Sequence, residues 1–165
     1  MATFDKKLWI QRIEKKKKRA IAAGTTRSSA DEEASENAAA VDDIAILMDW
    51  CVKNGLTVEF SSEGQFYYPL QKMITISLRN PPGTQLAYLL HECGHFLIKK
   101  SGNPRYLEPT TGDARLQEID EEYEAWSRGE KLAMRLGLSL NTDTFYRIKD
   151  MSIRSYFKWA LKVSQ

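Results

Sequence analysis

Only two cysteines, Cys51 and Cys93, occur in the 165 residues. That is too few for a disulfide framework, and the basic N-terminus is not followed by the apolar segment a secretion signal requires. Long hydrophobic runs are also missing: a stretch such as Leu86 to Leu90 is far short of a membrane span. These absences exclude a disulfide-stapled secreted scaffold and a membrane-embedded protein, and they lead us to expect a reducing cytoplasmic compartment, the host cytoplasm if the gene is viral. Histidine is just as scarce, with His91 and His95 as the whole supply. No internal repeat is present. What remains is ordinary for a folded domain: 42% apolar and 28% charged residues, in a length that suits one domain with a core.

The net charge of +2 hides an uneven layout. Residues 1–30 carry nine Lys/Arg against two acids, whereas residues 31–50 carry seven acids and no Lys/Arg. Leu8, Ile10, Ile13 and Ala20 to Ala23 lie among Lys6, Lys7, Arg12 and the run Lys15 to Arg19, which reads as a basic, weakly amphipathic helix. Such an arm could contact nucleic acid, an acidic partner or the chain's own acidic segment. Gly24 to Ser35 has the small, polar composition of a linker. The expected organisation is a basic helix and linker over 1–36 and a folded domain over 37–165.

Within that domain Val41, Ile44, Ala45, Leu47 and Met48 recur at helical spacing from about Asn37 to Lys53, with Asn54-Gly55 as the stop. Leu56 to Ser61, Gln65 to Tyr68 and the alternating Met73 to Leu78 read as strands of a small, largely antiparallel sheet. Met73 to Leu78 is a candidate edge for pairing with an extended substrate. Pro81-Pro82-Gly83 breaks the strand, and Thr84 is a candidate N-cap for a central helix reaching Lys99 or Lys100. Further helices are expected over roughly Asp113 to Leu136 and, as one or two pieces, Asn141 to Val163. In the last, Ile153, Tyr156, Phe157, Ala160 and Leu161 form an apolar stripe read as packing, with Arg154, Lys158 and Lys162 off it.

The central helix carries His91-Glu92-Cys93-Gly94-His95, an HExxH run. Residues i and i+4 share one helix face, so two imidazoles converge on one ion. Neutral imidazole is a favoured zinc ligand at about 2.0–2.1 Å, and a catalytic zinc takes three protein ligands with water as the fourth. Glu92 would then stand beside a water whose pKa zinc lowers from about 15.7 to about 7, as the base in hydrolysis of a peptide carbonyl. Cys93 turns away from the histidine face and reads as a small buried filler.

With no histidine left, the third ligand must come from a carboxylate or a cysteine, and the cluster Glu118, Asp120, Glu121, Glu122 and Glu124 is the obvious source. Glu122, Ala125, Gly129, Leu132, Ala133 and Leu136 form one stripe, small near the carboxylate and apolar beyond it. Ala125 and Gly129, facing Gly94, would let the two helices approach closely and present Glu122 to the metal. Glu118, one turn earlier, is the next choice. Glu121, Glu124, Arg128, Lys131 and Arg135 read as a solvated flank.

The strand, turn and LLHECGHFLI helix, followed about thirty residues later by EEYEAWSRGEKLA, resemble the ImmA/IrrE-type zincin metallopeptidases across roughly residues 37–140. That resemblance implies a zincin-like α+β fold, with a small antiparallel-rich sheet packed on the central HExxH helix and further C-terminal helices. It also implies His91, His95 and Glu122 as Zn2+ ligands, Glu92 as the base, and cleavage of an intracellular regulatory protein such as a phage or mobile-element repressor. The chain departs from the family pattern at Trp126, Gly129 and Leu132-Ala133-Met134-Arg135. The expected function is a zinc-dependent endopeptidase acting on a protein or peptide. The alternatives are a partner-binding or nucleic-acid-binding module working through the basic arm, and a virion-associated protein that keeps the scaffold with little turnover. Tyr88, Arg105, Tyr106 and Tyr123 are unranked candidates for stabilising the oxyanion.

Overall fold

The apolar stripe Ala40, Val41, Ile44, Leu47 and Cys51 is buried and forms the inner face of the first helix, α1 (Arg27–Lys53). The structure, a computed structural model, describes residues 27–62, 64–102 and 114–162. Helix α1 starts ten residues before the expected Asn37, so residues 27–35, read as linker from their small and polar character, are helical. Ala and Glu, which are good helix formers, recur through that stretch and outweigh its serines. The basic N-terminal helix expected over the first two dozen residues lies outside the described residues.

Strands β1 (Thr57–Ser61), β2 (Phe66–Tyr68) and β3 (Met73–Ser77) form one sheet in the order β1-β3-β2. The pairing corrects the largely antiparallel expectation, since β1 and β3 are parallel and only β2 and β3 are antiparallel. After β1 the chain crosses to the far edge, returns as β2, and turns at Pro69 to Lys72 so that β3 inserts between its predecessors. Lys72 takes a left-handed φ of 48° there. Strand β3 is therefore central, with Ile74 and Ile76 fully buried. It cannot be the edge for substrate pairing; among the described residues the edges are β1 and β2.

Helix α2 (Pro82–Ser101) carries the HExxH run. Its N-cap is Pro81, not Thr84, with Pro82 in the first turn, where a missing N–H costs nothing and the fixed φ suits the helix. Gly102, at φ 63°, ends it and donates its N–H to the Lys99 carbonyl, the usual left-handed stop. Helix α3 (Ala114–Leu136) and a single helix α4 (Thr142–Lys162) follow. The Asn141 side chain accepts the Thr144 N–H at 2.8 Å and caps α4.

The result is an α+β fold in which α2 is the shared centre, packed by α1, α3, α4, β2 and β3. Leu86, Ala87, Leu89, Leu90, Cys93 and Phe96 place its apolar sides in the core. Each large aliphatic side chain buried this way contributes roughly 1.5–3 kcal/mol, so the helix holding the two histidines is also the one most firmly held. Among the described residues, no helix is long and apolar enough to cross a membrane.

Candidate metal centre

Two glycines set the distance between α2 and α3. A Cβ built on Gly94 would run into the Ala125 carbonyl, and one on Gly129 would stand 2.5 Å from the Leu90 oxygen. The helices thus cross backbone to backbone, as the small stripe of the sequence suggested. Glu122, one turn before Ala125 and Trp126, is carried against the histidine pair.

Three donor groups converge. His91 Nε2 lies 3.1 Å from Glu122 Oε2, His95 Nε2 lies 3.2 Å from Glu122 Oε1, and the two Nε2 atoms are 3.2 Å apart. His91, His95 and Glu122 together could hold a metal ion, their ligand atoms all lying within 4.8 Å of one another. Donor chemistry and spacing fit zinc: with bonds of about 2.0–2.1 Å, the edge of a tetrahedron of ligands is about 3.3 Å. Glu118 is exposed and lies outside this group, whose carboxylate is Glu122.

Electrostatics follow from burial and proximity. Burial pulls both imidazole pKa values down. At His95 the carboxylates Glu121 and Glu122 outweigh it and lift the value to about 10, whereas His91 stays lowered. Glu122 resists its own burial and is held well below the ordinary carboxylate range by His91 and His95. Glu92, 6% exposed, is pushed up to about 7 by burial; Glu122 adds to the rise, and His95 and the Tyr67 backbone N–H oppose it.

Glu121, read from sequence as part of a solvated flank, stands 3.3 Å from His95 Nδ1 and 3.6 Å from Lys99 Nζ. A carboxylate on the far nitrogen of a ligand histidine fixes the ring and its tautomer. His91 is held differently. Its ring stacks on fully buried Trp126 with centroids 4.3 Å apart and planes at 25°, while its Nδ1 has no hydrogen-bond partner among the described residues.

A cleft of about 270 Å³ opens on these groups, with Gln65, Phe66, Tyr67 and Pro69 on one wall and Tyr156 of α4 on another. A larger cavity of about 500 Å³ lies between the N-terminus of α2 and the start of α4, away from the histidines, and offers no comparable donor set. Tyr156 is a site residue the sequence reading missed: its ring fits the apolar stripe, yet it lines the cleft together with Glu122. Of the named oxyanion candidates, neither Tyr88 nor Tyr123 lines the cleft. Tyr88 packs on Trp126, Tyr123 is exposed beneath Lys149, and Arg105 and Tyr106 lie outside the described residues. Cys93 is fully buried against Cys51, with sulfurs 3.5 Å apart, on the side away from the histidines.

Comparison of the chain with protein-family models, with curated proteins and with solved structures gave no match in any of the three.

Proposed function

We propose that this protein is a zinc-dependent endopeptidase of the kind its HExxH and EEYEAWSRGEKLA segments resemble, the ImmA/IrrE-type zincins, acting on an intracellular regulatory protein. One observation carries the reading: a donor set of buried His91 and Glu122 with half-buried His95 lies beside a buried glutamate whose pKa is near neutral. When bound, zinc supplies Lewis acidity to a water molecule and to the scissile carbonyl.

The chain's own residues account for the proton. Glu92, ionised in a substantial fraction near pH 7, accepts a proton from the attacking water and returns it to the leaving amine, a transfer worth about 10²–10⁴-fold. Glu121 keeps His95 oriented with Nε2 toward the metal side. Strand β2 is an edge, and its Tyr67 N–H faces Glu92, so a peptide added along β2 would pass over the donor set.

The test combines metal analysis with cleavage of a mixed-sequence fluorogenic protein. Wild type should carry about one zinc per chain, as a single site of this type requires, and His95→Ala should lose it. Glu92→Gln should keep the zinc and lose cleavage. Wild-type protein that takes up no zinc, or a Glu92→Gln variant that cleaves like wild type, would overturn the proposal.

A further inference from the structure

The carboxylate of Glu122 meets more than the two imidazoles. Helix α4 lies across α2 and α3, and Ile153 anchors it by packing against the core. Three residues on, nearly one turn, Tyr156 is half-buried and points into the cleft with His91, Glu92, His95 and Glu122. Burial and the neighbouring Glu122 carboxylate keep its phenol protonated, so the hydroxyl is a donor on the same cleft as that carboxylate. A protonated phenol brings a hydrogen-bond donor to the carboxylate without adding charge. Glu122 is thus faced from two helices: by the histidines of α2 and by the tyrosine of α4.

We propose that Tyr156 is a positioning residue of the metal centre, its hydroxyl orienting Glu122 for coordination and tying the C-terminal helix to metal occupancy. The inference rests on reading His91, His95 and Glu122 as a metal site. Outer partners of ligand carboxylates and histidines typically change metal affinity by about 10–100-fold when removed. The C-terminal helix is then part of the metal site, not a scaffold outside it.

Zinc affinity of the full chain, measured by competition with a chromophoric chelator, tests this without reference to cleavage. Tyr156→Phe should bind zinc about 10–100-fold more weakly than wild type. Tyr156→Gln, which restores a donor, should recover part of the loss. Ser155→Ala, which removes an exposed hydroxyl from the same helix, should bind like wild type. Equal affinities for wild type and Tyr156→Phe would overturn the inference, as would an equal loss in Ser155→Ala. So would Tyr156→Phe losing cleavage at unchanged affinity, since the hydroxyl would then act on substrate. Wild type that binds no zinc at all would instead sink the metal-site reading beneath it.

Discussion

Protonation at the metal centre is decided by individual neighbours. In the metal-free protein His95 keeps its proton to about 10, against an ordinary value of 6.5, because Glu121 and Glu122 outweigh its burial. Between those values the folded state holds a proton that the unfolded chain has released. The stabilisation from this pairing is therefore complete below pH 6.5 and is lost as pH rises toward 10. Glu92 acts in the same direction at lower pH: its value rises from 4.5 to about 7, so folding binds an extra proton in that interval and stability falls as pH climbs through it. We expect the urea midpoint of the chelator-treated protein to decline across the upper window, whereas in the lower one the lowered pKa of His91 opposes Glu92. His95→Gln should flatten the upper part, and Glu92→Gln should leave a midpoint that rises toward pH 6.5. A wild-type midpoint that stays level from pH 6.5 to 10 would contradict the Glu121–His95–Glu122 arrangement.

The crossing of α2 and α3 depends on the absence of two methyl groups. Gly94 abuts the Ala125 carbonyl and Gly129 the Leu90 carbonyl. Backbone cannot step aside as a flexible side chain does, so either substitution to alanine must push the helices apart. Overpacking costs about 1–3 kcal/mol and sometimes more; we expect each alanine variant to reach at least the upper part of that range in urea unfolding and to weaken zinc binding. An alanine variant with wild-type stability would mean that the helices do not meet this closely. This crossing was legible in the sequence, because the stripe Glu122, Ala125, Gly129 and Leu132 repeats at the helical period and small residues announce close approach. The histidine pair was legible for the same reason. Other features depended on relations between elements that periodicity does not encode. Three short strands joined by short connections look alike whether the last inserts between the first two or adds at the edge. Tyr156 has an apolar ring that fits a packing stripe, and only the path of α4 brings it to the cleft that Glu122 lines. Glu121 sits one step round from the stripe, close enough for its longer reach to meet His95.

At the scale of the whole chain, every component of the site depends on α2. Its histidines face Glu122 from α3, Tyr156 comes from α4, and β2 flanks the same cleft. Unfolding scatters these parts, so the unfolded chain retains no matching triad and metal binding should add directly to folding stability. For a ligand that binds only the folded state, a free concentration a thousand times Kd contributes about 4 kcal/mol. For a chain of this length that corresponds to a rise in Tm of roughly 8–16 °C. We expect zinc to raise Tm by that order and a chelator to reverse the rise. Glu122→Ala should lose most of the effect, although residue 122 lies on a different helix from both histidines. A zinc-induced shift equally large in Glu122→Ala would place the metal on α2 alone, because a ligand held by one helix does not report on the docking of α3. Loss of the shift in that variant, with a normal Tm in the absence of metal, would locate the coupling between the two helices at the carboxylate itself.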